Sequence, residues 1–79
     1  MPKPPEKVLI RGLVVPSEWN QDGQVVGVTI KTFDEDEYVV SDTEAIKELL
    51  TFLRKEVVVN GVVKFGEAKK LLTMCRLKK

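Results

Sequence analysis

VLIRGLVV (residues 8–15) has a near double further along the chain, VVVNGVVK (residues 57–64). Each is an apolar run rich in β-branched residues, with a glycine in its fifth place. β-Branched residues fit a strand, whereas glycine inside a strand weakens it and marks a bulge, a bend or a close approach of backbones. In the first run Val8, Ile10, Gly12 and Val14 share one face, and Leu9, Arg11, Leu13 and Val15 the other. Pro16 has no ladder donor, so the strand is expected to end near it.

Strand signals continue on both sides of a single helix. SEWNQDGQ (17–24) reads as a turn through Asp22-Gly23, which tolerate positive φ. QVVGVTIKTF (24–33) alternates again, with Val26, Val28 and Ile30 as its expected core face. FDEDEY (33–38) is a polar reversal into a short third strand, EYVV, with Tyr38 and Val40 inward. In SDTEAIKELLTFLRKE (41–56) the period changes: Ile46, Leu49, Leu50 and Leu53 fall at i, i+3, i+4 and i+7, one helical stripe. This predicts a helix over residues 43–54, with Ser41 and Glu44 as a capping box and Arg54 and Lys55 at its C-terminal end. Period two returns in KEVVVNGVVK (55–64), and after FGEA (65–68) a fifth strand, KKLLTMCRLKK (69–79), closes the chain. Its facing is ambiguous, because Leu72 and Met74 compete with Leu71, Thr73 and Cys75. MPKPPE (1–6) reads as a mobile tail ahead of one domain, residues 7–79.

Five strands in a chain this short must curl, since a flat sheet would leave two long edges and no enclosed core. Closure needs a strand that bends and pairs on two sides, and Gly12 and Gly61 are placed to permit such corners. The expectation is a mainly β fold, a partly closed five-stranded barrel with the helix plugging one end.

The order strand, strand, strand, helix, strand, strand resembles the OB-fold, a five-stranded Greek-key barrel with a helix between strands three and four. The residues carrying it are Gly12 within VLIRGLVV, the helix SDTEAIKELLTFLRK, and KEVVVNGVVKFGEAKKLLTM, which is similar to the last hairpin of many OB domains. The chain as a whole is similar to small, stand-alone bacterial OB-like proteins of unassigned function. An SH3-like barrel offers no natural place for a mid-chain helix.

The 79 residues, 43% hydrophobic and 32% charged, suit one globular domain. One cysteine permits no internal disulfide, the prolines and charges of MPKPPEK do not form a signal peptide, and no apolar run approaches a membrane span. A cytoplasmic monomer is expected. Charge is unevenly placed: residues 21–42 carry one lysine against six acids, and residues 43–79 nine Lys/Arg against four glutamates. Such asymmetry marks a partner surface or keeps an edge strand soluble.

Without histidine there is no Ser-His or Cys-His pair and no histidine zinc site. Cys75 reads as a small packing residue. Asp34–Glu37 lacks the oxygen ligand and glycine that the next places of a calcium loop require, since Tyr38 and Val39 stand there. No glycine-rich loop leads from strand to helix, so no phosphate cradle is expected. The residue types for nucleophilic or general-base work are mostly missing, so no cofactor or enzymatic activity is expected either.

In OB domains the ligand lies across strands two and three, framed by the loops after strands one and four. The resemblance therefore implies Trp19 and Phe65 as framing aromatics, with Thr29, Lys31 and Phe33 on the outward face of strand two. Arg11 on strand one and Lys64 on strand four add cations. Aromatics for stacking and cations for phosphates are the chemistry of single-stranded nucleic-acid binding. FDEDEY sets four carboxylates beside that groove, which repel phosphate. Trp19 has a second reading as a cap on the open end of the barrel. Two functions stay open: a protein-interaction or adaptor module using the acidic hairpin or basic last strand, and weak single-stranded nucleic-acid binding.

Overall fold

A computed structural model describes residues 4–66 and 69–77; the side chains of Met74 and Cys75 lie outside it, and with them the packing role expected of Cys75. The elements are β1 (Glu6–Trp19), β2 (Val25–Thr32), β3 (Glu37–Val40), α1 (Thr43–Leu49) with a 3₁₀ turn (Leu50–Phe52), β4 (Glu56–Phe65) and β5 (Lys70–Leu77). The sheet closes into a ring in the order β1-β2-β3-β5-β4 and back to β1. All pairings are antiparallel except β3 with β5. Among the described residues no helix is long and apolar enough to cross a membrane.

β1 closes the ring by changing partners along its length. Residues Glu6 to Leu13 pair with β4, and Gly12 to Trp19 pair with β2. The two sets overlap only at Gly12 and Leu13, so the strand coils there. A Cβ on Gly12 would lie 2.5 Å from the Lys31 carbonyl oxygen, and only glycine permits that approach. Gly61 has a related place on β4. Its ladder to β5 runs from Asn60↔Arg76 to Val62↔Thr73, so β5 carries one extra residue opposite it. This bulge explains the ambiguous facing of β5: Leu72 and Leu77, an odd number apart, both pack toward the core.

The core is the even-numbered face of β1 and the odd-numbered face of β4. Ile10, Val14, Val57, Val59 and Val63 are buried there with Val28, Ile30, Val40 and Leu72. Val26 is not among them, contrary to its alternation: it is exposed. The register steps from Pro16↔Val28 to Glu18↔Gly27 to Trp19↔Val25, leaving Ser17 and Val26 unpaired in successive bulges. Each bulge shifts the phase of alternation by one, so Val25 turns toward the core and Val26 away from it.

β1 also passes Pro16 instead of ending there. The Val14 N–H donates to the Lys55 carbonyl (3.1 Å) and the Val14 carbonyl accepts from the Arg54 N–H (2.7 Å), both away from β2. By strand alternation the missing Pro16 N–H would point the same way, so its absence costs no bond to β2.

The same two bonds shorten the helix. α1 is α-helical for seven residues rather than through residue 54. At Leu53 the backbone is extended and bridges Val14, and Arg54 is left-handed at φ 64°. β4 reaches β1 only as far as Leu13, so residues 53–55 satisfy the Val14 backbone that a longer helix would leave open. α1 packs against β2 and β5 through buried Ala45 and Leu49, flanked by half-buried Ile46 and Leu50.

The N-cap is Asp42, whose carboxylate accepts from the Glu44 N–H at 3.0 Å. The expected capping box on Ser41 is not formed, because the Ser41 N–H and hydroxyl both donate to the Leu72 carbonyl. Asp42→Ala is therefore expected to cost about 1 kcal/mol and Ser41→Ala clearly less, as read from urea midpoints. The reverse order would restore Ser41 as the cap.

Candidate binding surface

Parallel pairing of β3 and β5 sets the start of each strand, and the loop before it, side by side. Tyr38 stands opposite Lys70, and Lys70 opposite Phe65. Lys70 reaches the acidic hairpin, donating from Nζ to Asp36 Oδ1 at 2.9 Å, with Nζ 5.2 Å from the centre of the Tyr38 ring. The acidic and basic halves of the sequence thus meet inside one molecule. Glu35, Asp36, Glu37, Phe65, Lys69 and Lys70 line a shared cleft of about 500 Å³.

The hydrogen bond to Asp36 raises the Lys70 pKa above its ordinary 10.5, with burial opposing it and the charges of Asp36 and Tyr38 assisting. A raised folded-state pKa means this contribution to stability is fully present below the ordinary lysine value. It is lost as pH rises through the higher folded one. The urea midpoints of the wild type and Lys70→Met are expected to converge across that range.

The outer face of β2 and β3 is not a line of cations. Across it run Val15, Thr29, Val39, Leu71 and Lys64 in register. Thr29, expected as an outward ligand contact, is only 6% exposed, flanked in register by Val15 and Val39. Lys31 and Lys64 are exposed on this face, and Lys31 stands opposite Leu13 on one side and Glu37 on the other.

Trp19 does not cap the ring. It is 56% exposed at the end of β1, beyond the two bulges, while Ala45 and Leu49 of α1 supply apolar cover to the core. Phe65 is half-buried and packs against that core. The two aromatics lie at opposite ends of β1: Trp19 ends it opposite Val25, whereas Phe65 lies two residues beyond Val63, the partner of Glu6 at its start. They do not frame one narrow groove. Phe33, at the hairpin, is 78% exposed.

Arg11 faces outward between β1 and β4, its Nε donating to Glu56 Oε1 at 2.8 Å. Beside it lies the larger concavity, about 590 Å³, across the outer faces of β1, β4 and β5. Lys7, Leu9, Asn60, Val62 and Arg76 line it where β5 bulges opposite Gly61. Leu9 is 58% exposed and pairs with Asn60, which pairs in turn with Arg76; Lys7 pairs with Val62. Alternation assigns Leu9 outward, but the grouping with Val62 and Arg76 depends on ladder register, which a single strand does not carry. Among the described residues no three Cys, Asp or Glu side chains are grouped closely enough to share a metal ion.

No protein-family model, curated protein or solved structure matches this chain.

Proposed function

We propose that the protein is a small, non-enzymatic binding module of the OB type that docks another protein on the outer face of β1 and β4. The ring order β1-β2-β3-β5-β4, with α1 between β3 and β4, supports the OB assignment. The single cysteine suits a reducing, cytoplasmic setting. The observation that carries the docking surface is the groove around Leu9, an exposed leucine set among apolar and cationic neighbours. Apolar surface in a concavity rimmed by polar groups is the usual mark of an interaction site.

Single-stranded nucleic-acid binding across β2 and β3 is the second reading, favoured by exposed Trp19 and Lys31. Against it stand the apolar row Val15–Val39–Leu71, the Glu37 carboxylate beside Lys31, and the acidic tip within a Debye length of roughly 8–10 Å.

Two measurements test the assignment. Titrating poly-dT while following Trp19 fluorescence is expected to show no saturable binding tighter than about 10⁻⁵ M at physiological salt. A benzoylphenylalanine replacing Leu9, irradiated in cells producing the protein, is expected to give an adduct that protease removes and nuclease does not. Submicromolar poly-dT binding, or a nuclease-sensitive adduct, would reverse the ranking.

A further inference from the structure

Resting on that reading, we infer that the groove across β1, β4 and β5 takes an acidic, extended peptide segment, with an apolar side chain seated on Leu9 and Val62 between two carboxylates. Among the described residues, the ionisable ones lining the groove are Lys7 and Arg76, both cations. Neither is in an ion pair among the described residues, whereas Arg11 is held by Glu56 and Lys70 by Asp36. Arg76 presents a planar fork suited to a carboxylate.

The register sets the spacing. Arg76 is two strands across from Leu9, and Lys7 is two residues along β1 from it. Strand spacing and rise then separate the two cationic positions by on the order of 12 Å. Residues four apart in an extended segment span a similar distance and project from the same face. Between the cations lie the apolar Leu9 and Val62, with Asn60 standing between Leu9 and Arg76. The ligand that matches is acid, apolar residue, acid.

Other occupants fit less well. All five aromatic residues of the chain lie outside the groove lining, so a nucleic acid would find phosphate contacts there without a stacking platform. The same groove of a second copy would set cation against cation. The hairpin of a second copy offers Phe33 with Asp34 and Glu35, but in a tight turn held by Thr32–Asp36 bonds, whose adjacent carboxylates do not span both cations. Such a head-to-tail contact also need not close.

The test is an amide-shift NMR titration of the full chain with a blocked heptapeptide carrying two glutamates four positions apart with a leucine midway between them. Saturable shifts at Lys7, Leu9, Asn60 and Val62 are expected. The same peptide with glutamines, or the Arg76→Glu variant, is expected to bind at least tenfold more weakly, with the unliganded amide spectrum showing Arg76→Glu folded. Shifts elsewhere, or none, overturn the inference. So do equal shifts by a dT dodecamer, which would assign the groove to nucleic acid, and concentration-dependent broadening without peptide, which would assign it to a second copy. A protease-sensitive adduct at position 9 combined with a silent heptapeptide removes the acidic ligand but leaves protein docking standing. No adduct and no shift removes both.

Discussion

Gly12→Ala is expected to cost about 3 kcal/mol or more, at or beyond the upper end for overpacking a well-packed site. The added methyl would sit 2.5 Å from the Lys31 carbonyl oxygen, 2.9 Å from its carbon and 3.0 Å from Ile30 Cγ2. Two of those atoms are backbone, and Lys31 is laddered to Leu13. Relief requires β1 and β2 to separate where β1 also changes from β2 to β4, so the strain falls on closure itself. Domains this small have stabilities toward the low end of about 5–15 kcal/mol, so the variant should lose about half of its folding free energy or more. Urea midpoints and far-UV circular dichroism would measure it. A loss below ~1 kcal/mol would mean that the ring is not pinned at Gly12.

Gly61→Ala provides the internal contrast. Its added methyl would meet the tip of the Leu72 side chain at 2.7 Å and the Thr73 carbonyl oxygen at 3.0 Å. A leucine methyl can turn where a paired carbonyl cannot, although Leu72 is fully buried and has little room. A cost of about 1–2 kcal/mol follows, smaller than at Gly12. The two glycines occupy the same place in similar sequence runs and differ in what approaches them.

That contrast shows what alternation can convey. It assigns the faces of β1 and β4 because their in-and-out pattern holds along the paired core, from Val8 to Val14 and from Val57 to Val63. It fails at Val26 and across β5, where a bulge inserts one residue and reverses the phase. A bulge is a property of two strands together and leaves little mark on either alone. The helical stripe through Leu53 outlasts the helix for a related reason, since the Val14 backbone competes for residues 53–55. Among the candidate ligand contacts, alternation places Arg11, Lys31 and Lys64 outward, and all three are exposed. It does not say that Arg11 is held by Glu56, 45 residues away, or that Asp36 is held by Lys70, 34 away. Nor does it say that Leu9 and Arg76 share a groove. Faces come from local spacing, and neighbours across faces come from topology.

Leu49→Ala is expected to cost about 2–4 kcal/mol, toward the upper part of that range. Leu49 is 1% exposed and lies in the core beside Ala45, on the face of α1 that meets β2 and β5. Seven residues are too few for a helix to persist in water by propensity, so α1 exists because its apolar face is held. Truncating Leu49 removes apolar contact and also the main anchor of the helix, which lets α1 fray and exposes the core beneath it. Ile46→Ala, at a half-buried position on the same helix, is expected to cost about half as much. Hydrogen exchange separates local from global loss. If Leu49 is the anchor, amides of residues 45–49 lose protection before those of Val59 and Val63 in β4. Equal loss in both would mean that α1 and the ring unfold as one unit. A cost below ~1 kcal/mol with α1 still protected would show that the ring holds its shape without Leu49, leaving closure at Gly12 as the dominant constraint on the fold.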